Sequence, residues 1–414
     1  MNILLIGSGG REHAIAKKIK ESRRLAEFYC IPGNPGIKEL AQLVDIDTKD
    51  IKSIVSFAKE KKINLIICGP ENPLVLGLSD EAAMQDIPVF GPKKSGALLE
   101  GSKIFSKNFM FKYNIPTAGF IAFNNFESAK KHIEKRLTFP VVIKADGLAA
   151  GKGVKIVDNK ADALRTIEQY MIKKVFGDSG KSLVIEELLT GEEMSFFYIT
   201  DGNTFLPLLP VKDYKRAYDN DKGENTGGMG SYAPHLAITD ELKEAIESQI
   251  VKKIKIGFKK ESIDYKGVLY IGLMLTDKGP KVIEFNCRFG DPETQVLMPL
   301  IENDILDVMY ATAKGKLETH SIKWRNDYAA CVVIASAGYP GEYKTGIKIN
   351  FKINPNEFIH AGTKLKNNEI VTSGGRILNA VGIGPSKKAA LDNAYSLITN
   401  VSIQGAFYRK DIGN

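Results

Sequence analysis

Cysteine and histidine are scarce in this 414-residue chain, at four and five respectively, and Cys30, Cys68, Cys287 and Cys331 lie far apart with no Cys-x-x-Cys pair. Their spacing argues against a zinc cluster or a disulfide scaffold and leaves reduced, buried thiols as the reading. Apolar runs are also short: none approaches the roughly 20 residues of a membrane span. The segment Met1–Gly7 is a short apolar stretch running into glycines, without the basic flank and small-residue cleavage site of a secretory leader. A cytoplasmic location without membrane contact is therefore expected. No internal repeat or low-complexity tract is present, and 43% hydrophobic with 26% charged residues matches a folded globular protein.

Charge is present in excess, with a formal net value of +8. The lysines are scattered among Asp and Glu without interleaved aromatics, so nucleic acid is not the expected partner; small anionic substrates fit better. At this length several domains are expected. Short apolar strands at Asn2–Ile6, Glu27–Ile31, Asn64–Cys68 and Ile87–Phe90 alternate with helical patterns, which predicts a doubly wound parallel sheet. Its ligand-facing rim would carry the loops at Gly7–Gly10, Pro32–Gly36, Gly69–Pro73 and Gly91–Pro92. Beyond Lys103 the pattern becomes α+β, with a small lid-like unit. A polar loop is expected over Lys212–Ser231, then strands at Gly267–Thr276 and Pro280–Asn286. A β-rich α+β unit follows from about Arg325. The expected units are 1–102, 103–324 with a lid at about 118–190, and 325–414.

The loop Gly7-Ser-Gly-Gly-Arg-Glu12 follows a strand and opens a helix, where backbone N–H groups favour an anion. It fits a dinucleotide fingerprint poorly: Glu12 replaces the third glycine, and the second strand ends at Ile31-Pro32 without an acid for a ribose hydroxyl. A tight turn, or binding of a sugar phosphate or other polar substrate, remains open. A second glycine loop follows the strand Val141–Lys144 and carries Lys152. It lacks Walker spacing, yet offers the backbone donors and mobile ammonium charges that triphosphate binding needs. Leu183–Glu193 runs from an apolar strand directly into carboxylates, which suits a nucleotide-binding hinge or merely a solvated edge.

In Lys281–Arg288 a period of two places Glu284, Asn286 and Arg288 on one face and Ile283, Phe285 and Cys287 on the other. Glu284 and Asn286 offer hard oxygens for Mg²⁺, and Arg288 could clamp a phosphoryl group or carboxylate. In chain order, Lys144, the Lys152 loop, the Glu186–Glu193 hinge and the Glu284/Asn286 pair resemble the ATP-grasp superfamily. Gly7–His13, Gly69–Glu71, Asp213–Arg216, Asn225–Gly230, Arg288–Glu293, His360–Thr363, Gly374–Arg376 and Tyr408–Gly413 are similar, end to end, to the motifs of the phosphoribosylamine–glycine ligase family.

The resemblance implies an ATP-dependent ligase of purine synthesis acting on glycine and 5-phosphoribosylamine, with ATP and Mg²⁺ (or Mn²⁺) and no partner chain, as a monomer. It assigns Lys103, Lys144 and Lys152 to ATP phosphates, Glu186 and Leu188 to adenine, and Glu193 to ribose. Glu284 and Asn286 would hold the metal, Arg288 and Asp213 the glycine, and Gly9, Glu71 and Arg376 the sugar phosphate. Many superfamily members carry a further acidic ligand where this chain reads Tyr270–Leu275, so the metal would lean on two protein oxygens and the phosphates. The competing readings are a sibling ligase and a nicotinamide-dependent oxidoreductase. A biotin-dependent carboxylase is disfavoured by the missing Met-Lys-Met box.

Overall fold

The strands Ile3–Gly7, Leu65–Cys68 and Val89–Phe90 are short and wholly apolar because both of their faces are covered. β1 (Ile3–Gly7), β2 (Phe28–Pro32), β3 (Gln42–Leu43), β4 (Leu65–Cys68) and β5 (Val89–Phe90) pair in parallel in the order β3-β2-β1-β4-β5. Ile3 and Leu5 enter one apolar cluster while Leu4 and Ile6 enter another, so a single run feeds two cores. The chain leaves β1 toward β2 on one side and reaches β4 on the other, which opens a crevice at their carboxyl ends. The structure, a computed structural model, describes residues 1–149, 153–236 and 238–414; Lys152 lies outside the described residues.

The lid is an antiparallel sheet in which Leu183–Glu187 pairs with Phe120–Phe123 and Val141–Ala145, and Val154–Val157 forms the outer edge. Ala129, Ile133, Ala163 and Ile167, from the helices Phe126–Lys135 and Lys160–Ile167, cluster with Val141, Ile143, Leu183 and Ile185. One face is thus a small core; Ile121 and Ile156 remain exposed on the lid strands. The lid meets the rest of the chain where Val282 N–H donates to Pro116 O at 2.8 Å and Thr117 Oγ1 donates to Val282 O at 2.7 Å.

The central sheet is antiparallel, with Glu192–Thr200 and Gly267–Thr276 at its middle and Gly279–Asn286 at one edge. The expected polar loop at Lys212–Ser231 is instead largely strand. Lys212–Asp213 pairs with Gly230–Ala233, and Arg216–Tyr218 folds back on Lys222–Asn225. Neither element carries apolar alternation: Lys222–Asn225 is exposed throughout, and Gly230–Ala233 is buried but made of small residues and one tyrosine. Gly230–Ala233 then pairs with Tyr328–Ala335, which pairs with Arg376–Gly384. One sheet therefore draws strands from both sides of residue 325. The helix Lys387–Ile398 covers it through Ala390, Ala394 and Ile398.

Candidate active site

A cavity of about 460 Å³ lies between the lid, the central sheet and the rim of the parallel sheet. On the lid side it is lined by Lys144, Ala145, Gly147, Leu148 and Gly153, with Lys103 beside them. The helix Lys103–Lys112 starts there because Ser102 caps it, accepting from Phe105 N–H at 3.0 Å. Asp146, at the end of the lid strand, accepts from Ser102 Oγ at 2.9 Å and Ile104 N–H at 2.8 Å, so the helix and the glycine loop are tied together. Behind the wall, Glu186 Oε2 lies 3.0 Å from Lys107 Nζ and 3.2 Å from Lys144 Nζ. All three side chains are buried, and burial draws the Lys107 ammonium down to about 8 despite the carboxylate beside it.

Glu284 and Asn286 face this lysine group from the edge strand. Glu284 Oε2 lies 3.7 Å from Lys103 Nζ, and Asn286 Nδ2 donates to Glu284 Oε1 at 3.4 Å. Burial alone would raise the Glu284 carboxyl, but Lys103, Lys215 and Lys144 outweigh it and hold it at about 2. Its oxygens thus stay anionic and lack any short hydrogen bond, as a hard-cation ligand requires. The expected alternation is corrected at Ile283. A bulge between Gly272 and Leu273 pairs Glu284 with Gly272 but Val282 with Leu273, leaving Ile283 without an opposite residue. Val282, Phe285 and Cys287 enter the core, whereas Ile283 joins Glu284, Asn286 and Arg288 on the cavity wall. Lys144 Nζ donates to the Ile283 carbonyl at 3.3 Å, so the bulge meets the lid lysine.

Charged groups from distant segments crowd the inner end. Arg288 donates from Nη2 to Glu100 Oε1 at 2.9 Å, and its Nε lies 3.4 Å from Glu71 Oε2. Burial would raise Glu71, yet Arg288 and Arg11 hold its carboxyl below the usual range. Arg376 Nη1 donates to the Asp291 carbonyl at 2.6 Å and lies 3.4 Å from Asp291 Oδ1, while Arg11 N–H donates to Asp291 Oδ2 at 3.4 Å. Glu12 stands where a dinucleotide fingerprint has its third glycine. Its carboxylate accepts from Gly9 N–H at 2.6 Å, and a Cβ on Gly69 would lie 2.1 Å from its Oε1. The acid itself therefore fills the space next to the glycines.

Asp213 and Lys215 come from the Lys212–Asp213 strand and the residues just after it. Lys215 Nζ pairs with Glu193. Burial disfavours the Lys215 ammonium, but Tyr270, Glu193, Asp213 and Glu284 more than restore it. Asp213 is driven well above the usual carboxyl range, first by burial and then by Glu293, and its Oδ1 has no hydrogen-bond partner among the described residues.

Of the residues singled out from sequence, Lys103, Lys144, Glu193, Asp213, Glu284, Asn286, Arg288, Glu71 and Arg376 line this one cavity. Glu186 sits behind it against two lysines, Leu188 is half-buried beyond the strand end, and the Gly9 amide is already engaged by Glu12. Sequence reasoning missed Glu100 and Lys107, and it gave no role to Arg11 and Lys215, which lie in the motifs Gly7–His13 and Asp213–Arg216. Lys107 had a signal, since it lies four residues from Lys103 on one helix and shares its face. Glu100 had none, being an isolated acid in the helix Lys94–Gly101.

A parallel-sheet unit, a glycine-loop lid and a carboxylate strand facing lysines across a cavity define an ATP-grasp ligase. Family profiles agree throughout: phosphoribosylglycinamide synthetase N domain over residues 1–100, ATP-grasp (A) domain over 101–294 and C domain over 329–414. The chain belongs to the phosphoribosylamine–glycine ligase family. The ligase of that name from Caldanaerobacter subterraneus subsp. tengcongensis is 48% identical, covering 100% of this chain and 99% of its own. That from Clostridium acetobutylicum is 44% identical with the same coverage. The crystal structure of the Thermotoga maritima phosphoribosylamine–glycine ligase superposes with a TM-score of 0.88 at 35% identity, over 99% of this chain and 100% of that one. A biotin carboxylase domain from Hydrogenobacter thermophilus shares the fold, with a TM-score of 0.77 at 21% identity, over 98% of this chain and 91% of that one. The family makes this chain an ATP-dependent ligase of purine biosynthesis. Among the described residues, no helix is long and apolar enough to cross a membrane.

Proposed function

We propose that the chain joins glycine to 5-phosphoribosylamine in two displacements in one cavity. A glycine carboxylate oxygen attacks the γ-phosphorus of ATP and ADP departs; the amine nitrogen then attacks the acyl carbon of glycyl phosphate. Phosphate leaves, the nitrogen loses a proton, and glycinamide ribonucleotide results. The first step is needed because a carboxylate has no leaving group better than oxide. Lys103 and Lys144, with Lys152, neutralise the phosphates, Glu186 and Leu188 frame the adenine, and Glu193 meets the ribose. Glu284 and Asn286 would hold Mg²⁺ (or Mn²⁺), which supplies charge neutralisation to the polyphosphate.

Arg288 receives the glycine carboxylate and Asp213 its ammonium. Glu71, Arg376 and the Gly9 turn face the sugar phosphate. Catalysis here is positioning and electrostatics, and no protein nucleophile is required. Closure of the lid would keep water from the acyl phosphate. All these groups come from one chain, which is consistent with a monomer, and cytoplasmic work fits these substrates.

The observation that carries this reading is the opposition of Lys103 and Lys144 to Glu284 and Asn286 across a single cavity that continues to Arg288 and Arg376. ADP release, measured with glycine and with phosphoribosylamine generated in place, tests it. Release should need both substrates. Turnover that persists when glycine is replaced by another amino acid, or when the amine is omitted, would point to a sibling ligase.

A further inference from the structure

Glu100 is 3% exposed and lies in the helix Lys94–Gly101, outside every motif that marks the reaction. A buried carboxylate persists only when its oxygens are satisfied. Here all of its hydrogen bonds go to one dipeptide. Oε2 accepts from Cys287 N–H at 2.8 Å and from the Cys287 thiol at 3.2 Å, and Oε1 accepts from Arg288 Nη2 at 2.9 Å. Arg288 is thereby fixed at one end of its guanidinium. Nη1 donates to the Phe289 carbonyl at 3.2 Å, Nη2 also donates to Asn286 Oδ1 at 3.3 Å, and among the described residues Nε meets the Glu71 carboxylate at 3.4 Å. Arg288, Glu100 and Glu71 all line the cavity.

The same short segment makes a second contact with the same strand: Lys103 Nζ lies 3.7 Å from Glu284. Two opposite-charge pairs, Glu100 with Arg288 and Lys103 with Glu284, thus set segment 100–103 against the end of the strand Gly279–Asn286 and the residues just after it. Their spacing fixes how far the phosphate-binding lysine stands from the guanidinium.

We propose that Glu100 is a positioning residue, holding Arg288 so that its guanidinium is presented to the carboxylate of the amino-acid substrate. The proposal rests on Arg288 receiving glycine. It predicts that Glu100→Gln, which keeps the shape but removes the charge, raises the glycine KM about tenfold while the ATP KM stays within about twofold. A glycine KM that stays at the wild-type value, or a parallel rise in both KM values, would overturn it.

The double variant separates a route through Arg288 from a general loosening of structure. In an Arg288→Lys background, Glu100→Gln should add no further loss, because the guanidinium it positions is gone; full additivity would refute the idea. If Glu100→Gln melts early, Glu100→Asp keeps the charge but withdraws it from Nη2, and the glycine KM must again rise alone. Failure of the parent reading shows in the wild type, as ADP release indifferent to glycine, whereas failure of this one shows only in the variants.

Discussion

The two ends of the cavity are built differently. The nucleotide end rests on regular strands and a capped helix: Val141–Ala145 delivers Lys144, Gly279–Asn286 delivers Glu284 and Asn286, and Ser102 launches Lys103. The acceptor end is a knot of charges from residues 11–12, 71, 100, 288–291 and 376, pairing at 2.5 to 3.4 Å. In the first arrangement each side chain is delivered by its own regular element. The second is interdependent, since each arginine is oriented by acids from other segments.

Three substitutions test this contrast, and a fourth, at His360, tests how the amino-terminal and carboxy-terminal units are tied together. Glu284→Ala should produce the largest effect, about a 1000-fold fall in ADP release with an unchanged thermal melt, because it removes the one anionic metal-ligand candidate from a site of fixed geometry. Activity within a few fold of wild type would discard the metal assignment.

His360 probes the tie between the amino-terminal and carboxy-terminal units. Its backbone N–H donates to His13 Nδ1 at 2.8 Å, its Nδ1 meets Thr363 Oγ1 at 3.1 Å, and Lys17 lies near enough to oppose its protonation. Burial draws the ring down to about 4, so the unfolded chain binds the extra proton first. The stabilisation is complete above the ordinary value near 6.5 and is lost as pH falls from there toward 4, amounting to on the order of 3 kcal/mol. Urea melts of His360→Gln should therefore be flatter than wild type between those pH values; equal slopes would exclude the assignment.

Lys144→Met should raise the ATP KM about tenfold and leave glycine alone, as a nucleotide-end change acting locally. An equal shift in both constants would erase the distinction between the two ends. Arg376→Ala should act more diffusely. The carbonyls of Gly227 and Asp291 lose their donor, so about 1 to 3 kcal/mol of stability should go together with a severalfold rise in the phosphoribosylamine KM. A variant with normal stability and normal KM would mean that the knot is redundant at that point.

The same contrast explains what could be read from sequence. Strands with strong apolar character, such as Gly267–Thr276, and the helix Lys387–Ile398 appear at their expected places. The family motifs named most of the residues that line the cavity. What escaped depends on long-range geometry. The bulge at Ile283 arises from the register with Gly272 and Leu273, which no local pattern encodes. Glu100 matters only because Cys287 and Arg288 are brought to it across 187 or more residues. In the hairpin at Arg216–Asn225 Ala217 alone is buried among the described residues, so alternation was silent.

The sheet that crosses residue 325 has a mechanical consequence. Asp213 pairs with Ser231, Ser231 with Cys331, and Cys331 with Val381, a continuous ladder from the hairpin segment into the strand that begins at Arg376. Spreading Asp213 from Arg376 would require tearing that ladder, so the floor of the chamber behaves as one stiff plate. The opposite side is joined differently: the lid meets the main body through side-chain and single backbone contacts at Pro116, Thr117 and Val282, and at Asp146 and Glu186.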